Sequence, residues 1–224
     1  VAEYWDSAGN TLHWVNETNR NNSNPVDVFD FPLREALKNM CDQYGFSLRN
    51  LAGGESVLKE QNYSAVTFVE NHDLRDEGRP IVNDKLLAYS YILTHEGYPC
   101  VFWKDYYNLN LGMEGAPNGI AALVAAHEKY AGGETSVLYL DDNLYIMQRK
   151  GYENLPGLIY VLNNRGDRWD GQWVTTQWRN TEFIPIAWWS RFDMEKPLTK
   201  RADMEGRAQF FAAPRGFAVY LPNQ

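Results

Sequence analysis

Short apolar strands alternate with helical stripes four times over the first 133 residues, and this alternation constrains the fold more than any other feature of the chain. Val1–Trp5, Val26–Asp30, Val66–Glu70 and Pro99–Trp103 are rich in β-branched and aromatic residues, as strands require. Between them the spacing predicts helices. A weak one covers residues 8–18, with Leu12 and Val15 on one side. A second opens at Pro32, a residue tolerated in a first helical turn, repeats Leu33, Ala36, Leu37, Met40, Cys41 and Tyr44, and stops at Gly45. A third runs from about Asn83 to Glu96, and a fourth from Pro117 to Gly132 with Ile120, Leu123, Val124 and His127 on one stripe. Strand–helix repetition of this kind builds parallel βαβ units. Four units are half of a (β/α)8 TIM barrel, which as a whole needs about 250 residues. An open flavodoxin-like sheet fits the count but would carry Gly-rich phosphate loops at its helix starts, and none follows a strand here.

Beyond Gly133 the pattern changes to seven short strands: 137–140, 144–147, 158–162, 172–175, 183–186, 208–211 and 217–221. Turns rich in Asp, Asn and Gly separate them. The fold class expected is therefore α/β over residues 1–133, followed by an antiparallel β-sandwich domain over residues 134–224.

Charge and apolar content narrow the function classes. The net charge is −8 with no basic cluster, which argues against nucleic acid or an anionic membrane as partner. No apolar run is long enough to cross a bilayer. The chain begins with Val, so a processed or excerpted polypeptide is expected, and the lack of a visible signal peptide carries no weight. The two cysteines, Cys41 on a helical stripe and Cys100 in an apolar strand, are expected to be buried free thiols, with a single bridge between them as the alternative.

The chemistry-bearing segment is Val66-Thr-Phe-Val-Glu-Asn-His-Asp73, an apolar strand that delivers an imidazole and a carboxylate to one rim. A barrel presents catalytic groups in this way. Val1-Ala-Glu3-Tyr-Trp5 ends a second strand with a carboxylate and two flat rings. Glycoside hydrolysis uses a carboxyl that keeps its proton near neutrality, opposite groups that stabilise positive charge. Aromatic rings suit sugar faces, although they serve packing equally well.

These motifs carry a resemblance. Val1–Trp5 resembles the fifth-strand motif of the α-amylase family, the retaining family 13 glycoside hydrolases, and Phe68–Asp73 resembles its seventh. Val28-Phe-Asp-Phe-Pro-Leu33 is similar to its sixth strand. Tyr91–Trp103 is similar to its seventh helix and eighth strand, and the segment closing on Gly216–Leu221 to its C-terminal sandwich. The resemblance implies the C-terminal half of a barrel, strands five to eight, in an enzyme cleaving α-1,4-glucans such as starch and maltooligosaccharides. It implies Glu3 as general acid/base, Asp73 as transition-state stabiliser and His72 as a sugar ligand, with Tyr4 and Trp5 binding substrate.

The family nucleophile, an Asp in an Arg-x-Asp-x-x-Lys-His pattern on the fourth strand, has no match before Val1. The chain alone is accordingly expected to be inactive and to need the N-terminal half, strands one to four, as a partner. No cofactor is expected for the chemistry. A structural calcium is implied in the complete enzyme, its ligands mostly outside these residues, and the resemblance implies secretion. Arg191-Phe-Asp193-Met-Glu-Lys196 imitates the nucleophile pattern but has Pro197 in place of the His. Asn71 is expected only to bond the strand end, Glu70 to have no role, and Asp105 to be a solvated loop acid. His95 and His127 are expected to be structural. A glucan-transferring or isomerising enzyme of the same family, and a non-catalytic glucan-binding fragment, are the competing readings.

Overall fold

A computed structural model describes residues 1–223 and, Asp76 apart, their side chains. Helix α1 (Ala8–Asn19) starts where the Ser7 side chain accepts from the Asn10 amide. Strand β1 (Val28–Phe29) leads into α2 (Phe31–Asp42), capped by Asp30, whose carboxylate accepts from Leu33 N at 3.1 Å and from Leu58 N at 2.7 Å. Asp30 is fully buried, and that burial raises its pKa against the pull of these amides. The connection to β2 (Ala65–Phe68) contains two short helices, α3 (Leu48–Ala52) and α4 (Val57–Glu60). Helices α5 (His72–Asp76) and α6 (Lys85–Thr94) follow, then β3 (Tyr98–Cys100), a π-helical turn (Lys104–Asn108) and α7 (Ile120–Tyr130).

Strands β1, β2 and β3 form a parallel sheet in that order, and Ala2 extends it by a single parallel bridge to Val28. The expected strand over Val1–Trp5 is thus one bridge among the described residues. The register pairs Phe29 with Val66, Val66 with Tyr98 and Phe68 with Cys100. These side chains share one face, because strand side chains alternate. The opposite face, with Val28, Ala65 and Val69, packs into the core beneath the helices.

Among the described residues the antiparallel part contains eight strands, one more than expected. Strands β4 (Thr135–Leu140), β5 (Leu144–Arg149), β6 (Leu158–Asn163), β8 (Glu182–Ser190), β9 (Lys200–Arg201) and β11 (Gly216–Asn223) form a six-stranded sheet ordered β4-β5-β6-β11-β8-β9. Strands β7 (Asp170–Thr175) and β10 (Arg207–Ala212) form a two-stranded sheet. Alternation divides the central strands between two cores. Ile146, Ile159, Val161, Ala218 and Tyr220 meet Val174, Ala208 and Phe210 of the two-stranded sheet. Tyr145, Met147, Tyr160, Leu162, Phe217 and Val219 join the helical core of the first part.

Helix α6 lies between the layers, touching β2, α2, α7 and β11. Every one of its residues is buried, which is why its sequence is apolar on all sides. Cys41 is buried as expected, but Cys100 is exposed on β3. An apolar run shows that a strand has a covered face in its native setting; it does not show that the covering comes from these residues. Among them, no helix is long and apolar enough to cross a membrane.

Candidate active site

The end of β2 and the start of the chain meet through one side chain. Asn71 Nδ2 donates to Glu3 Oε1 at 2.8 Å, while Asn71 Oδ1 accepts from Leu74 N at 2.9 Å and caps α5. Extended backbone at Asn71 followed at once by helix turns His72 and Asp73 out of the strand line. Both are exposed, with His72 Nε2 lying 3.3 Å from Asp73 Oδ1. Glu3, Asn71, His72 and Asp73 are therefore brought together at one rim of the parallel sheet. Asn71 does more than finish the strand. The Asx-x-x pattern signals a helix cap, but nothing local in sequence points to its contact with Glu3.

Tyr4 and Trp5 are both engaged by the protein. The Tyr4 ring stacks on Trp14 at 5.5 Å and its hydroxyl donates to Asp6 at 3.3 Å. Trp5 stacks on Phe31 with centroids 5.0 Å apart, and the Arg79 guanidinium lies 4.8 Å from the ring centre. Both groups pack against the Trp5 ring. Part of the side chain remains open, and Trp5 is 44% exposed.

Directly behind the rim lies a buried charged network. Glu70 and Asp105 are both buried, which corrects the reading of Asp105 as a solvated acid and of Glu70 as idle. Lys85 Nζ bridges them, 2.9 Å from Glu70 Oε2 and 2.8 Å from Asp105 Oδ1. Arg34 Nη2 pairs with Glu70 Oε1 at 3.1 Å, and Tyr89 Oη donates to Asp105 Oδ2 at 2.7 Å. Burial and the neighbouring carboxylates raise the Tyr89 pKa, so the phenol stays a donor. A lysine opening an otherwise apolar helix, Lys85-Leu-Leu-Ala-Tyr, is the sequence signal for this network.

The nucleophile-like segment scatters its groups. Arg191 pairs with Asp84 at 2.9 Å, Asp193 accepts from Trp169 Nε1 at 2.6 Å, and Lys196 lies over the Trp188 ring. His95 is buried against Tyr91 and Tyr145, and His127 contacts the Leu93 carbonyl at 3.1 Å. Among the described residues no group of three or more His, Cys, Asp and Glu side chains fits a metal ion.

No family model matches the chain. It is 35% identical over 182 residues to a glucan 1,4-alpha-maltohexaosidase of Bacillus sp. (strain 707), a match covering 75% of the chain and 34% of that relative. To an alpha-amylase of Geobacillus stearothermophilus it is 36% identical over 167 residues, covering 70% of the chain and 29% of the relative. The chain thus spans about a third of the length of these curated relatives. Its fold matches that of CldA, a cyclomaltodextrin glucanotransferase with a three-domain ABC distribution, with a TM-score of 0.68 at 18% identity over 99% of this chain and 50% of that one. It also matches AmyP in complex with maltose, with a TM-score of 0.65 at 14% identity over 98% of this chain and 54% of that one.

The fold is the one these solved enzymes share. The chain belongs to the α-amylase family, the family 13 glycoside hydrolases.

Proposed function

We propose that these residues form strands five to eight of the catalytic barrel and the following β-sandwich of a retaining α-amylase-type glycosidase acting on α-1,4-glucans. The observation that carries the reading is the hydrogen bond from Asn71 to Glu3. It joins the two segments that bear the carboxylates at one rim, beside the exposed His72 and Asp73.

In this reading an aspartate from the first half of the barrel attacks the anomeric carbon. Glu3 protonates the departing glycosidic oxygen, and then takes a proton from the water that releases the sugar. Asp73 and His72 hold sugar hydroxyls and favour the oxocarbenium-like transition state. Tyr4 and Trp5 serve mainly to shape the rim, with the exposed part of Trp5 available to substrate.

The 224 residues alone are inactive in this reading. Their partner is the first half of the same barrel, as a separate chain or segment. Structural calcium belongs to the complete enzyme, bound mostly by that other half. Action on polymeric glucan implies an extracellular site of work, although one more distant relative is named a cytoplasmic alpha-amylase.

A glucan-transferring enzyme is the second reading, since a glucanotransferase shares the fold. Reducing-sugar release from starch by the protein containing both halves separates hydrolysis from transfer, which conserves the number of reducing ends. Glu3→Gln in that protein is expected to abolish turnover. Full activity in this variant, or starch cleavage by the 224-residue chain alone, would overturn the proposal.

A further inference from the structure

The segment from Asn71 to Asn83 leaves the sheet, carries the candidate rim residues and returns to α6. Its neck is held by buried charge. Arg34 Nε donates to Val69 O at 3.3 Å and Arg34 Nη2 to Arg79 O at 2.6 Å, so one guanidinium grips both limbs. Glu70 Oε2 accepts from Ile81 N at 3.2 Å, closing the loop a second time. Lys85 then ties Glu70 to Asp105, which lies 3.7 Å from Arg75 Nη1 within α5 itself.

The charged and titratable groups around Lys85 are Arg34 and Glu35 on α2, Glu70 after β2, Arg75 on α5, Tyr89 on α6 and Asp105 on the π-helical turn. Lys85, Arg34, Glu70, Tyr89 and Asp105 are buried, and the formal charges of the two cations and two carboxylates among them cancel. The clasp costs desolvation and contributes little net stability compared with an apolar equivalent. What such a network does provide is one defined geometry for the segment it encloses, with every member hydrogen-bonded.

We infer that Lys85 is a positioning residue for glycosyl transfer: by bridging Glu70 and Asp105 it fixes the neck of the 71–83 loop and thereby the Asn71 contact that orients Glu3. The inference rests on the reading of Glu3, His72 and Asp73 given above.

The geometry dictates an unusual pH signature. Removing the ammonium leaves the buried Glu70, Asp105 and Arg34 with one negative charge in excess, offset only by the partly exposed Arg75 guanidinium 3.7 Å from Asp105. Like-charged carboxylates in a buried site resist joint ionisation. One of them then takes up a proton as the pH falls, and the neck re-forms. As the pH rises it ionises, and the loop loosens.

The experiment uses the enzyme containing both halves of the barrel, with Lys85→Met, Asp105→Asn and the double variant K85M/D105N. For Lys85→Met, kcat is expected to fall about tenfold or more at mildly alkaline pH and to recover to within about threefold of wild type at mildly acidic pH, with KM nearly unchanged. Hydrogen exchange of the 71–83 amides should speed up over the same pH range, while that of β6 and β11 stays slow. The double variant removes the excess charge and should regain the wild-type profile.

A Lys85→Met enzyme with wild-type pH dependence and wild-type exchange would overturn the inference. Should that variant fail to fold, Asp105→Asn carries the test. It leaves Lys85 paired to Glu70 alone, and faster exchange is then expected in 71–83 without change in β6 and β11; unaltered exchange would overturn the inference equally. Glu3→Gln is the independent control. If it stays active the functional reading falls, whereas an inactive Glu3→Gln beside a wild-type-like Lys85→Met removes the clasp alone.

Discussion

Arg215 Nε donates to Asp84 Oδ2 at 2.7 Å, joining the turn before the last strand to the residue before α6, 131 positions away. The same guanidinium donates to the carbonyls of Met40 and Cys41 at the end of α2, and to Asn164. Arg215 is fully buried and holds a left-handed φ of 49°, a conformation that costs about 1 kcal/mol for a residue with a Cβ. One side chain thus fastens the antiparallel sheet to two helices of the parallel part. Planar, multidirectional donation is what arginine offers and lysine does not.

Arg215→Met is therefore predicted to destabilise the protein by about 3 kcal/mol, because Asp84 and the α2 carbonyls lose buried partners. Arg191 still pairs with Asp84, which keeps the loss near the lower end of that class. Arg215→Lys should recover only part of it. Urea unfolding midpoints provide the measurement, and a loss below about 1 kcal/mol for the methionine variant would contradict this assignment.

His95 makes stability depend on pH. Burial, aided by nearby Arg149, pushes its pKa from 6.5 down to about 4, against the opposing pull of the Tyr91 carbonyl and Glu96. The folded value is depressed, so the stabilising contribution is fully present above the unfolded value. It is lost as pH falls through the folded one. Between pH 6.5 and about 4, this amounts to about 3 kcal/mol. His95→Gln should flatten the decline in unfolding free energy across that window relative to wild type. Parallel curves for the two proteins would show that other groups set the acid limb.

Asn71 combines two roles that substitution can separate. Asn71→Asp keeps a good helix cap but replaces the amide donor to Glu3 with a carboxylate. Asn71→Ala removes both functions. In the complete enzyme both variants are expected to lower kcat about a hundredfold, since a general acid depends on its orientation. Only the alanine variant should also lose about 1 kcal/mol of stability. Wild-type kcat for Asn71→Asp would mean that the contact with Glu3 has no part in the chemistry.

Much of the architecture was legible because local pattern dictated it. Pro32 and the stripe that begins at Leu33 mark the start of α2 to within a residue, while Gly45 lies three residues beyond its end at Asp42. Strands β5, β6 and β11 announced themselves by apolar runs between turn residues. The parts that were not legible depend on distant partners. Glu70 looks idle until Arg34 and Lys85 are brought to it, and Asp105 looks solvated until Lys85 and Tyr89 cover it. Short helices α3 and α4 were missed for another reason. At four and five residues they are too brief to show a helical period, although Ser47 and Ser56 cap them. The rim was readable as residue types, but the Asn71–Glu3 contact that assembles it spans 68 positions and has no local signature.

Cys100 offers a direct probe of the proposal that the parallel sheet is half of a barrel. It pairs with Phe68 in register and shares the face of Phe29 and Val66. On that face Phe68 is 1% exposed beneath Phe31, whereas Tyr98 is 54% exposed and Cys100 is also open to solvent. The same face is thus covered at β2 and bare at β3, and in a closed barrel it would point to the packed interior. Cys41, by contrast, is buried, and desolvation raises its thiol pKa, so it lacks the thiolate that reacts. A thiol reagent applied to the folded 224-residue chain should modify Cys100 rapidly and Cys41 only on unfolding. Addition of the first half of the barrel should then protect Cys100 by about tenfold or more in rate, as expected for an exposed thiol that becomes buried. Unchanged labelling of Cys100 in the complete protein would mean that β3 is not the strand at which the barrel closes.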